Sequence, residues 1–177
     1  MIRAGRLTLR PWRTTDADAV RAAFAPPDMA RQAGEPIDGP GAAERWLDTR
    51  IDEFTAGRGW SYAVVADDGA VLGNVSVTDI SRRHDTGWVS YWTAGPARGR
   101  GVASAAVRAL ADWALTEGGL FRLELGHRTN NPASCVVAVR AGFLVEGLER
   151  QKLSYGDERF DVELHARLAT DPHRVAP

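Results

Sequence analysis

Polar and apolar positions alternate with period two at residues 6–10, where Arg, Leu, Thr, Leu and Arg precede Pro11, which predicts a strand ended by the proline. Beyond it the period lengthens to that of a helix. Ala17, Val20 and Phe24 fall on one face, Thr15 stands where a cap is wanted, Asp16 and Asp18 suit the positive helix start, and Pro26 and Pro27 stop the run. Residues 26–41 hold Gly34, Pro36 and Gly39 and read as a loop. A second helix follows over 42–56, with Trp46, Leu47, Ile51 and Phe54 on its apolar face and Gly57 closing it.

Two apolar runs, 60–66 and 71–77, flank Asp67-Asp68-Gly69 and predict a hairpin, to which 87–93 adds a third strand. A helix over 103–117 ends at Gly118-Gly119 and the chain returns as a strand over 121–126, so this unit predicts one parallel pair. Asn131 caps a further helix, with Pro132 at its first position and Gly142 at its end. Strands over 143–153 and 159–168, joined around Gly156, form a last hairpin, and the tail 169–177 is expected to be loosely ordered. The order predicts the α+β class: three layers, α/β/α, with flanking helices and a mixed, mostly antiparallel sheet of about seven strands with one parallel crossover, in one domain over 1–177.

At 177 residues and 44% apolar composition, the chain is long enough to bury about 70% of its unfolded surface, an enzyme-sized core. No 18-residue apolar run suits a membrane span and the first 13 residues lack a signal-peptide core, so a cytoplasmic protein with no membrane partner is expected. A formal charge of −1 supplies no field for nucleic acid. One cysteine, Cys135, excludes a disulfide framework within the chain and is expected to be a small buried apolar residue. His84, His127, His165 and His173 are too scattered along the sequence to indicate zinc, so no metal is expected.

Local chemistry concentrates between the aromatic strand and the third helix. Gly99 and Gly101 permit positive φ and close approach to a ligand, and the unpaired amides of the helix start converge there at the positive end of its dipole. Arg98 and Arg100 add planar cations suited to phosphate. The Walker pattern fails because Lys152 is the only lysine of the chain. The dinucleotide fingerprint fits in part, with Ser104 in place of the third glycine and Glu124 about 20 residues further on. An NAD-dependent oxidoreductase is therefore an alternative, opposed by the single crossover.

Arg98-x-x-Gly101-x-Ala103 resembles the Arg/Gln-x-x-Gly-x-Gly/Ala signature of the GNAT acyltransferases, whose turn holds the pyrophosphate of acetyl coenzyme A. Asn131-x-x-Ser134 followed by Arg140-x-Gly142-Phe143 resembles a second block of that family. The opening from Arg6 to Trp12, Tyr91-Trp92 and Glu146-Gly147 are similar to the Rim-type subgroup, which acetylates N-terminal amines of ribosomal proteins.

The resemblance implies the GNAT fold, acetyl-CoA as co-substrate and a primary amine as acceptor, either a peptide or protein N-terminus or a small amine. It implies two splayed strands with backbone amides near Trp92 and Thr93 on the pantetheine, and a pyrophosphate on Arg98, Gly99, Arg100, Gly101, Val102, Ala103 and Ser104. It further implies Asn131 as a coenzyme contact, Ser134 as general acid to the departing sulfur, and Arg140 near coenzyme phosphate. The base breaks the pattern: the acid expected in the penultimate strand falls at Leu153, and the one before the turn at Trp88. Glu124 and His127 are the substitutes, ahead of Glu146 and Glu149. A missing acid favours a weakly basic α-amine, with pKa near about 8 against about 10.4 for lysine, and water as proton carrier. Trp12, Trp60, Tyr62 and Trp88 are candidates for an acceptor pocket, with loop 26–41 as its lid. A coenzyme-binding sensor that has lost its base is the alternative of a different class, and a homodimer is left open.

Overall fold

The computed structural model describes residues 1–32 and 36–172. The alternating run at 6–10 forms one strand, and a further strand precedes it. β1 (Ile2–Ala4) turns at Gly5, φ +63°, and pairs antiparallel with β2 (Leu7–Pro11). Glycine takes that left-handed dihedral without a Cβ clash, so the sheet gains an eighth strand over the seven expected. A 3₁₀ turn (Thr14–Asp16) leads into α1 (Ala17–Phe24), and Asp16 fixes this entry in place of the expected Thr15. Its carboxylate accepts the Arg13 N–H at 2.9 Å and two Arg10 N–H groups at 2.7 and 2.8 Å. Part of loop 26–41 is a 3₁₀ segment (Pro27–Gln32), and α2 (Ala42–Thr55) follows.

β3 (Trp60–Val65), β4 (Val71–Ser81) and β5 (Thr86–Thr93) form the expected meander. α3 (Val102–Leu115) crosses over to β6 (Arg122–Arg128), after which come α4 (Pro132–Arg140), β7 (Leu144–Tyr155) and β8 (Glu158–Leu168). The strand order is β1-β2-β3-β4-β5-β6-β8-β7, and β5 with β6 is its parallel pair. A doubly wound dinucleotide sheet needs parallel pairs throughout, so that alternative falls.

β3 is buried along its whole length because helices cover both faces. Residues 60, 62 and 64 point to the core under α3, with Val75, Val77, Leu123 and Leu125, while 63 and 65 point to a second core under α1 and α2 with Trp12 and Trp92. Of the tail, Ala169 donates to the Phe121 carbonyl at 2.8 Å, and residues 173–177, including His173, lie outside the described residues. Among the described residues no helix is long and apolar enough to cross a membrane.

The β5–β6 pairing is the feature that positions the site. It holds at Thr86↔Arg122, Gly87↔Leu123 and Trp88↔Glu124 and then stops, although β5 runs on to Thr93 and β6 to Arg128. Each strand stays paired on its outer edge, β5 with β4 up to Thr93 and β6 with β8 up to Arg128. The sheet therefore opens in its middle. The Trp88 indole lies across the opening against Gly126, where a Cβ would meet Trp88 Cη2 at 3.0 Å.

Candidate functional site

A cleft of about 640 Å³ runs from the glycine turn to this opening. Gly99 (φ +73°) and Gly101 (φ +76°) shape its floor, and nothing stands within 4 Å of where their Cβ atoms would be. Gly101 is the N-cap of α3 and supplies no side chain to cap it. Ala105 N–H makes the first helical bond, to the Gly101 carbonyl, so the amides of Val102, Ala103 and Ser104 have no helical acceptor and carry the positive dipole end into the cleft. Amides so placed can hold an anionic group such as a diphosphate.

The two arginines of the turn part company. Arg98 lines the cleft but is braced: it donates to Asp28 Oδ2 at 2.5 Å, to Met29 Sδ at 2.8 Å and to the Thr93 carbonyl at 3.2 Å. The Arg98 guanidinium holds the Asp28 carboxyl below its ordinary range. Asp28 and Met29 thus join the cleft wall, a contribution of loop 26–41 that its turn-rich composition did not signal, while 33–35 of that expected acceptor lid lie outside the described residues. Arg100 does not line this cleft and borders instead a separate groove beside Asp67 and Asp68.

The far wall is α4. Asn131 caps it, accepting the Ser134 N–H on Oδ1 at 3.3 Å and donating through Nδ2 to Ser134 Oγ at 3.0 Å. Because Oγ is the acceptor in the second bond, the hydroxyl proton of Ser134 is available to donate. The Tyr91 hydroxyl donates to the Ser134 carbonyl at 3.4 Å, and burial pushes this phenol up, so it stays protonated. Trp92, Thr93, Asn131, Ser134 and Arg140 all line the same cleft.

Behind Ser134 the gap between β5 and β6 holds a smaller cavity of about 160 Å³, lined by Trp88, Tyr91, His127, Ser134 and Leu153 among others. Leu153 faces it because β7 is bulged between Glu149 and Leu153, with Gln151 at φ +53° and its N–H held by Asp161 Oδ1 at 2.7 Å. Of the two base candidates, His127 lies at this cavity and Glu124 does not. Glu124 Oε1 accepts from Arg122 Nε at 2.7 Å, and Arg122 also binds Glu146, in an ion-pair group away from both cavities. Glu149 pairs with Lys152.

Three of the four aromatic pocket candidates are core residues. Trp60 packs edge-on against Trp113, and Tyr62 against Phe54, both beneath α3 as the strand period requires. Trp12 sits behind the cleft wall between Trp46 and Trp92, its Nε1 donating to Asn74 Oδ1 at 2.9 Å. Trp88 alone of the four lines a cavity of the site. Two of the four histidines that are scattered in sequence meet: His127 and His165, with Glu163 and Cys135, bring their ligand-type atoms within 4.8 Å of one another. A sequence signal existed for half of it, since Glu163 and His165, two apart on a strand, share a face.

A family model described as an acetyltransferase (GNAT) domain matches residues 6–144. The chain belongs to the GNAT family. Its GNAT relatives include a ribosomal-protein-serine acetyltransferase from Escherichia coli (strain K12), 34% identical over 98 residues. That match spans 55% of each chain, so the chain covers about half the length of this relative. A putative ribosomal N-acetyltransferase from Bacillus subtilis (strain 168) is 27% identical over 134 residues, 74% of this chain and 73% of that one. Among solved structures, a ribosomal L7/L12 alpha-N-protein acetyltransferase in complex with coenzyme A superposes with a TM-score of 0.84 at 21% identity, covering 93% of this chain and 94% of that one. A microcin C7 self-immunity acetyltransferase in complex with acetyl-CoA and AMP gives 0.84 at 15% identity, covering 93% of both chains. At these identities the superpositions speak for the GNAT fold alone.

Proposed function

We propose that this chain transfers the acetyl group of acetyl-CoA to a primary amine, and that the acceptor is the N-terminus of a protein. The observation that carries this reading is one cleft that joins an amide-lined diphosphate seat at Gly99–Ser104 to a strand gap faced by Ser134. When bound, acetyl-CoA supplies an acetyl group activated as a thioester. The amides of Val102, Ala103 and Ser104 hold its diphosphate, Arg140 and a released Arg98 add positive charge, and the unpaired edge of β5 near Trp92 and Thr93 offers backbone partners to its linear arm. Ser134, oriented by Asn131, donates a proton to the departing sulfur.

The names of similar proteins support a protein N-terminus as acceptor, since one is a ribosomal-protein-serine acetyltransferase, another a putative ribosomal N-acetyltransferase and a third a ribosomal L7/L12 alpha-N-protein acetyltransferase. A cytoplasmic site of action accords with a chain of one cysteine and, among the described residues, no helix fit to cross a membrane. The experiment is incubation of the chain with acetyl-CoA and a serine-initiated peptide, followed by mass spectrometry and thiol detection. Equal appearance of N-acetyl peptide and free thiol is expected. Tight acetyl-CoA binding with no thiol release across peptide and small-amine panels would establish a coenzyme-binding sensor instead.

A further inference from the structure

His127 borders the gap cavity, and two further titratable groups stand against its ring. Its Nδ1 lies 3.0 Å from the Arg128 carbonyl oxygen, which only accepts, so this nitrogen carries the proton of the neutral ring and Nε2 carries the lone pair. Nε2 faces His165 Nε2 at 2.9 Å and Glu163 Oε1 at 3.3 Å, and Glu163 Oε1 lies 3.0 Å from His165 Nε2. One proton, on His165 Nε2, therefore serves both the His127 lone pair and the Glu163 carboxylate. His165 Nδ1 is left as a buried atom without a partner. Both rings are almost wholly enclosed, with side chains 6% and 0% exposed. The cluster has room for one more proton, and a carboxylate touches both rings to balance the charge it brings.

We propose that His127, Glu163 and His165 together form the general base of the acetyl transfer, His127 receiving the proton at the gap and Glu163 and His165 acting as positioning residues behind it. The inference rests on the acetyltransferase reading above. It supplies from β8 the carboxylate that Leu153 fails to supply from β7, where the apolar side chain lines the same cavity. A proton leaves the acceptor ammonium through water in that cavity and reaches His127 Nε2 as the His165 Nε2–H gives up that lone pair for Glu163 Oε1 alone, and the carboxylate, 3.3 Å from the same nitrogen, balances the charge of the imidazolium. The amine lone pair then forms the carbon–nitrogen bond, the carbon–sulfur bond breaks, the second nitrogen proton reaches sulfur through Ser134, and His127 returns its proton to solvent.

The surroundings agree with this assignment. Burial pushes His165 down from the ordinary imidazole value, against the pull of Glu163 and with the help of His127, so its ring rests neutral. Cys135 on α4 is held as the thiol by partial burial and by Glu163. The Arg128 guanidinium lies over Tyr155 and Phe160, and the Tyr91 phenol is bonded to Ser134.

The test pairs a reading that needs no acceptor with one that does. In ¹⁵N-labelled protein the two imidazoles should titrate as a coupled pair, with His127 in the Nδ1–H form when neutral. Glu163→Gln should move that titration to lower pH by about one unit or more. In the pH profile of kcat/KM for a serine-initiated peptide, the acidic limb should move with it in Glu163→Gln. It should vanish in His127→Gln, with about a hundredfold loss and unchanged acetyl-CoA affinity. Rings that titrate independently and ignore Glu163→Gln overturn the proposal, as does one zinc per chain whose removal accounts for the pH dependence, since two imidazoles, a thiol and a carboxylate also suit that ion. Coupled titration without any peptide acetylation would overturn the transferase reading while the proton-accepting cluster stands.

Discussion

Asp16 is a buried carboxylate with its acceptor positions engaged by Arg10 and by the Arg13 N–H. Burial alone would push its carboxyl up, but these hydrogen bonds and the two positive charges hold it below the ordinary range. A depressed folded pKa contributes stability above the unfolded value of about 3.9, and that stability is lost as pH falls through the lower folded value. Asp16→Asn leaves Arg10 without its partner and should cost about 3 kcal/mol at pH 7. Urea unfolding of both proteins, repeated toward pH 3, checks the sign: the gap should narrow as the wild-type carboxylate protonates. Side chains of one type also show where sequence reading stops. Trp12, Trp60 and Trp88 are the same residue type, each in or beside a strand, yet only Trp88 lines a cavity of the site, because strand parity and the neighbouring helix decide the face.

Among the elements, α4 was legible nearly in full, since Asn131-Pro132 at its start and Gly142 at its end are local signals with local causes. The same asparagine that caps the helix sets the Ser134 hydroxyl, so its loss acts on fold and chemistry together. Asn131→Ala should destabilise by about 1 kcal/mol and lower kcat. Ser134→Ala should lower kcat about a hundredfold with little change in stability or acetyl-CoA affinity. Thermal melts beside steady-state kinetics separate the two, and an unchanged kcat in Ser134→Ala would remove it as the proton donor. The elements that were misjudged are those whose ends depend on partners: β4 reaches Ser81 and β7 reaches Tyr155 because neighbouring strands continue the ladder past the last alternating residue.

At the scale of the molecule, the opening of the sheet after Trp88 is held from outside by full pairing of β4 with β5 and of β6 with β8. A ligand that spans the glycine turn and the gap ties α3, β5 and α4 together and binds the folded chain alone. Acetyl-CoA at about 100 times its Kd should therefore add about 2.7 kcal/mol and raise Tm by about 5–10 °C. Differential scanning fluorimetry with NAD as the control should show no such rise; an equal rise with NAD would deny that the cleft is built for coenzyme A.

The sequence by itself determined what acts over a few residues. Two glycines at the start of a helix, a cap, a proline and a crossover of sufficient length specify the amide-lined turn and the parallel pair, because dihedral freedom and helix-end amides are local properties. Tertiary structure alone decided that Arg98 is braced by Asp28, that Glu124 lies outside the site, and that His127 meets His165 across 38 positions of sequence. Those contacts follow from sheet register and from which helix lies over each face, and no spacing along one strand encodes the position of the strand beside it.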